Sequence, residues 1–267
     1  MESLGDKLYD IINTTKMELF NQGELAQLTY QAFHKYVQEI ENSEEEISIS
    51  YPVGYTPAKE TIESNVKYTK EVLIDKYNFL SLKQLPINGI YSLITLIEAM
   101  FTDILKAIIL RYPKKLGNKK QISISTILSL NSIEEIHLDI INKLLNELTY
   151  KSPAEFIKEF KDITSIDLLE TPATHRYKEI KATRDIYIHN NGITNEIYIA
   201  KAETLTRATI GQDLPINIQY FLESYEYCLQ LTEFLELKLH EVWTSEKFSA
   251  ELERRLSSIT ENDKKTK

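Results

Sequence analysis

The chain has a single cysteine, Cys228, in 267 residues. A disulfide framework and a cysteine-based metal site within one chain are thereby excluded, and a reducing compartment suits it. Glycine and proline number seven each, too few for a loop-rich or low-complexity chain. Long apolar runs are missing too. The most apolar stretch, residues 90–110, is interrupted by Glu98, Asp103 and Lys106 and makes a poor membrane span. The opening MESLGDKLYD is acidic and lacks the apolar run of a secretory signal. A cytoplasmic protein with no membrane attachment is the expectation. There is no Walker loop, GxSxG elbow, HExxH or Rossmann glycine pattern. With five scattered histidines and one cysteine, zinc ligation has no pattern either. Neither a metal nor a cofactor is expected. What remains is a catalyst made of Arg, His and polar side chains, or no catalyst.

The formal charge of −9 argues against a protein that coats nucleic acid through general basicity. The charge is uneven, however. Residues 1–86 carry 8 Lys against 14 Asp and Glu, whereas residues 105–120 carry Lys106, Arg111, Lys114, Lys115, Lys119 and Lys120 with no acid. Screening limits each charge to roughly 8–10 Å at ordinary salt, so a local basic surface can hold a polyanion on an acidic protein. RNA is not excluded.

Read as punctuation, the glycines and prolines delimit helices near residues 3–20, 24–41, 58–80, 89–111, 132–150, 153–162, 173–190 and 215–243. Ile90, Leu93, Ile94, Ile97, Phe101, Ile104, Leu105 and Ile108 make one apolar stripe at helical spacing. Leu222, Tyr225, Leu229, Thr232, Leu235, Leu239 and Val242 make another, and Cys228 within that helix reads as structural. Pro153 and Pro172 follow Ser and Thr as first helical residues. Strand signals are thin: residues 46–51 (EISISY) and 121–125 (QISIS) alternate, and residues 195–201 read as extended. The expected organisation is all-α, with an N-terminal helical accessory region over 1–80, a helical bundle over 81–245 and a charged tail over 246–267.

One segment stands out. The chain has 25 Lys and only 6 Arg, yet two of those Arg, Arg176 and Arg184, fall within ten residues in THRYKEIKATRDIYIHNNG. Where a planar, permanently charged fork must grip a phosphate, Arg is not replaceable by Lys. His189 follows Arg184 with four residues between, and His is the side chain that moves protons near neutral pH. Asn190-Asn191-Gly192 reads as a helix C-cap, which puts His189 in the last turn, where the helix dipole favours a cation. Asp185, four residues before His189, is placed to orient the imidazole. Residues five apart on a helix are separated by about 140°, so one chain does not aim both groups at one atom. A two-fold dimer joining two such helix ends would make a composite site.

The Arg-x4-His motif ending a late bundle helix and followed by Asn-Asn-Gly resembles the HEPN domains (higher eukaryotes and prokaryotes nucleotide-binding). The resemblance covers about residues 81–245. It takes in SLITLIEAMFTDIL with Glu98, KSPAEFIKEFKDI, RDIYIHNNG, the following Asn195 and Tyr198, and a long final helix. Many members have Asn directly after the Arg, where this chain has Asp185. The resemblance implies a helical bundle, dimeric in many members, that cleaves RNA without a metal, and it also includes members that only bind. Arg184 and His189 are then the candidate catalytic pair, supported by Asp185, Asn190, Glu98 and Tyr187. Arg176, Lys181 and His175 are candidate RNA contacts. A toxin or antiviral defence effector, with an antitoxin or defence-system partner protein, is the implied role.

Simpler readings stand beside these. Arg184 and His189 can be a helix-end cation pair. Glu98 shares a narrow polar stripe with Tyr91, Thr95 and Thr102 and reads as an inter-helix or solvated residue before a partner for Arg184. Tyr187 reads as core, the Lys114–Lys120 cluster as a solvated loop, and His34, His137 and His240 as structural. The acidic region 1–80 is a candidate cover for a basic cleft, or the working end of a helical scaffold.

Overall fold

A computed structural model describes residues 2–42, 46–116, 123–130, 132–149 and 151–265. The fold is mainly helical, and the described residues hold a single two-stranded sheet. Helix α1 (Leu4–Glu41) starts from Ser3, whose hydroxyl accepts the Asp6 N–H at 3.0 Å. Leu8, Ile12 and Leu19 recur at spacings of four and seven residues and are fully buried, so the first half of α1 belongs to the core. Lys16 lies on the same half and pairs at 2.5 Å with Glu236, both nearly buried. Two expected helices, 3–20 and 24–41, are therefore one. Gly23 does not break it. A Cβ there would stand 3.1 Å from the Tyr225 ring, so the glycine serves close packing.

Strands β1 (Glu46–Tyr55) and β2 (Thr61–Thr69) pair antiparallel from Glu46↔Thr69 to Tyr55↔Thr61, with a bulge between Pro52 and Gly54. The helix expected over 58–80 is corrected accordingly: its first half is β2. Helix α2 (Lys70–Phe79) follows and passes through a π-helical turn (Leu80–Gln84) into α3 (Leu85–Arg111) without leaving helical conformation. The boundary at 80/81 falls inside that run. Tyr77 of α2 packs edge-on against Phe33 and Tyr36 of α1 at 5.4 and 5.1 Å.

Helix α3 is the axis of the bundle. Ile90, Leu93, Ile94, Ile97, Ile104 and Ile108 have no exposed surface, and each such side chain contributes about 1.5–3 kcal/mol on burial. It packs against α1 and four later helices: α5 (Ile133–Thr149), α6 (Pro153–Thr164), α7 (Pro172–Asn190) and α9 (Ile218–Val242). A short α4 (Ile124–Ser129) precedes α5. Residues 121 and 122 of the QISIS segment, Lys119 and Lys120, and residues 43–45 of the acidic turn lie outside the described residues. Ser152 and Glu155 form a capping box at the start of α6. Residues 196–202 are helix α8 (Glu196–Ala202), not extended chain, because Asn195 Oδ1 accepts the Tyr198 N–H at 3.0 Å. Residues 246–265, expected as a charged tail, form α10 (Glu246–Lys265), anchored by Phe248 at 2% exposure. Asp6 Oδ1 accepts from Ser245 Oγ (2.7 Å) and the Lys247 N–H (3.1 Å), tying α10 to the start of α1. No helix among the described residues is long and apolar enough to cross a membrane.

Candidate functional site

Helix α7 carries the RDIYIHN segment and has a different job on each side. At 100° per residue, Glu179 and Thr183 face one way while Lys181, Asp185 and His189 face away from them. The helix begins at Thr171, whose hydroxyl accepts the Ala173 N–H, with Pro172 in its first turn. It ends as expected. Asn191 takes φ 51° and Gly192 φ 82°, and the Gly192 N–H reaches Ile186 O at 3.2 Å. Only glycine suits position 192, since a Cβ would also stand 3.3 Å from the Tyr187 ring. The chain beyond is stitched to residues 209–214: Thr194 N–H bonds Gln212 O at 2.9 Å, and Leu214 N–H bonds Gly192 O at 2.8 Å. Asn190 Nδ2 donates to Ile193 O within the same turn. The end of α7 is therefore held from three directions.

The inward side of α7 holds a buried polar cluster. Glu179, 2% exposed, accepts from Arg207 Nε (2.9 Å), Tyr198 OH (3.0 Å), Tyr220 OH (2.9 Å) and Thr183 Oγ1 (2.8 Å). The Arg207 guanidinium lies over the Tyr220 ring at 3.6 Å and donates to Thr183 Oγ1 at 3.0 Å. Burial, with the Glu179 charge close by, pushes Tyr198 up to about 12, so its hydroxyl stays a donor. This pin fixes α7 against α8 and α9.

On the other side lies an open groove of about 700 Å³. Arg184 and His189 both line it, together with Glu98, Lys181, Asp185 and Lys201. Glu98, reaching across from α3, accepts from Arg184 Nη2 through both oxygens, at 2.9 and 3.0 Å, and from Lys181 Nζ. It is thus an inter-helix residue and also the partner of Arg184, a role ranked second from sequence. Arg184 Nε lies 3.1 Å from Asp185 Oδ1 without forming a hydrogen bond, and it is buried with no other partner. Asp185 binds Lys201 at 3.0 Å. It does not hold His189, as the sequence suggested. The His189 ring is exposed, and among the described residues no hydrogen bond or ion pair holds it. Burial, helped by the Arg184 cation, pushes Lys181 down to about 8.

Four cations line this groove, Lys151, Lys181, Arg184 and Lys201, against two acids, Glu98 and Asp185. Lys151 and Lys201 were not singled out from sequence, and no local signal marks them. Asn190 and Asn195 line it as well. Tyr187 does not. Its hydroxyl donates to Leu214 O at 2.6 Å, which gives it the packing role. His175 and Arg176, expected as extra phosphate contacts, lie about 20 Å along α7 from His189 at 1.5 Å per residue. Neither lines the groove, and Arg176 sits over the Tyr227 ring at 5.2 Å. No residue of 1–80 lines it either, so the acidic region is not its cover in this conformation. Cys228 is buried and pushed up to about 12 by that burial, which leaves no thiolate to act as a nucleophile. His240 accepts the Ser245 N–H at 3.1 Å and packs edge-on to Phe248, a structural role. Among the described residues no group of three His, Cys, Asp or Glu gathers as metal ligands would.

Comparison with family models, with curated proteins and with solved structures finds no match.

Proposed function

We propose that this chain is a metal-independent endoribonuclease of the HEPN type, acting as a two-fold dimer. One observation carries the reading: the guanidinium of Arg184 and the imidazole of His189 line the same open groove, among three lysines. A groove so charged suits a phosphodiester. In the proposed reaction the 2′-oxygen attacks the adjacent phosphorus while His189 of one protomer takes the 2′-OH proton. The bond from phosphorus to the 5′-oxygen breaks, and the partner's His189 gives that oxygen a proton. The products are a 2′,3′-cyclic phosphate and a free 5′-hydroxyl. Each transfer is typically worth 10²–10⁴-fold. Arg184 stabilises charge building on the non-bridging oxygens. The need for a 2′-hydroxyl restricts the substrate to RNA. A growth-arresting toxin or defence effector, governed by a partner protein, is the role this chemistry serves; that part rests on family likeness alone.

A second reading, a non-catalytic HEPN-like module that binds RNA or protein, is favoured by one specific contact. Both oxygens of Glu98 already engage Arg184 Nη2, so that nitrogen must let go of the carboxylate before it can turn to a phosphate. Growth arrest on overexpression separates the two readings. Under the nuclease reading, His189→Ala and Arg184→Ala each abolish it while melting as the parent does. Arrest that survives both substitutions refutes catalysis by this pair.

A further inference from the structure

The β1–β2 hairpin leaves a long strand edge open. One of its faces leans on α2, where Lys76 Nζ donates to the Tyr68 hydroxyl at 3.0 Å and lies 5.3 Å from the centre of the Tyr51 ring. Beyond that contact every residue from Thr61 to Lys67 is exposed, and the described residues hold no third strand. A hairpin of two strands is marginal in water, and an unpaired edge is a template for another strand. The two edges differ. β1 carries Pro52 and the bulge beside it, and both discourage a further strand. β2, TIESNVKYT, holds neither proline nor glycine. The sequence around it is also antisymmetric in charge about Asn65. In KETIESNVKYTKE, residues 59–71, Glu63 mirrors Lys67, Glu60 mirrors Lys70 and Lys59 mirrors Glu71. Every charge in that window therefore falls opposite one of the other sign.

We propose that β2 pairs antiparallel with β2 of a second copy of this chain, about a two-fold axis through Asn65, making a four-stranded sheet with β1 on each outer edge. Directly opposed residues of an antiparallel ladder share a face and interact. Glu63 then meets the partner's Lys67 on one face, twice by symmetry. On the other face Ile62, 45% exposed, meets the partner's Tyr68. Moving the axis to Ser64 sets Lys67 against Thr61, and moving it to Val66 sets Glu63 against Thr69. Charge thus selects a single register. The pairing is isologous and closes on itself, and Pro52 guards the edges that remain. No residue of 1–80 lines the groove, so this axis is separate from the one proposed at His189, and the inference does not rest on nuclease activity.

The test is the mass of the full chain in solution, by light scattering after size exclusion. Glu63→Lys and Lys67→Glu each set like charges opposite one another across the axis and should halve the wild-type mass. Combining the two substitutions reverses both signs and should restore it, a rescue that damage to the hairpin itself would not show. A second measurement needs no change of charge. Asn65→Cys puts the new thiols across the axis, with Cβ atoms about 4.5–5.5 Å apart, and mild oxidation should crosslink two chains. Cys228 is buried and does not compete. Thr61→Cys puts the two thiols about 27 Å apart, eight residues at about 3.4 Å each, and should not crosslink. A wild-type monomer, single variants of unchanged mass, a double variant no heavier than the single ones, or Thr61→Cys crosslinking as readily as Asn65→Cys overturns the pairing.

Discussion

The two sides of α7 carry the same kinds of side chain in opposite states of completion. On the inner side Arg207 and Glu179 are wrapped by Thr183, Tyr198 and Tyr220, and both oxygens of Glu179 are engaged. On the groove side Arg184 and Glu98 also meet, yet Glu98 keeps 34% of its surface exposed and Arg184 keeps one buried donor unspent. Burying a charge costs several kcal/mol and is recovered only by full pairing, so a complete cluster is a structural pin. The groove-side pair is partly open to solvent and lies beside an exposed, unheld imidazole, so a ligand can reach it. The difference marks where this fold spends its polar groups on itself and where it does not.

The strongest challenge to that contrast is Arg207→Met. It strands Glu179 in the interior and should cost about 3–5 kcal/mol, the usual penalty for breaking a buried pair, read from urea unfolding. A loss under about 1 kcal/mol would place both clusters in one class. Next, His189→Ala should leave stability within about 0.5 kcal/mol while lowering RNA cleavage by 10²–10⁴-fold. A large stability loss would make His189 structural. Glu98→Gln keeps the shape and removes the carboxylate charge. Stability should change by about 1 kcal/mol or less, as for a half-exposed pair, while an uncleavable 2′-O-methyl oligoadenylate binds several-fold tighter. Weaker binding would mean that Glu98 assists the ligand. The smallest effect concerns pH. Lys181, pushed down to about 8, carries its charge below that value and loses it above, so oligoadenylate affinity should fall a few-fold between pH 7 and 9. Lys181→Arg should be flat over the same range, and a wild-type curve equally flat would remove Lys181 from the site.

The sequence revealed those features that are set locally. The stripe from Ile90 to Ile108, the Ser152 cap and the Asn191-Gly192 stop all depend on residues a few places apart, and each stands as expected. Strand β2 is not legible in the sequence, because no Pro or Gly interrupts residues 58–80 and its conformation is fixed by pairing with β1. Gly23 and Gly89 read as breaks in the sequence, but both lie within helices, against the Tyr225 and Phe221 rings. The Arg184–Glu98 contact spans 86 positions and no periodicity points to it. Arg207 was within reach: it is one of six arginines in a lysine-rich chain, the same signal that drew notice to Arg184. The groove lysines 151 and 201 come together only through the packing of α7 and α8 beside the start of α6.

The most direct test is to incubate end-labelled single-stranded RNA with the purified chain in excess EDTA and to identify the new ends. Fragments with 2′,3′-cyclic phosphate and 5′-hydroxyl ends, absent with His189→Ala, are the predicted result. RNA left intact in EDTA and cut once magnesium is restored, or cut equally well by His189→Ala, would contradict the account.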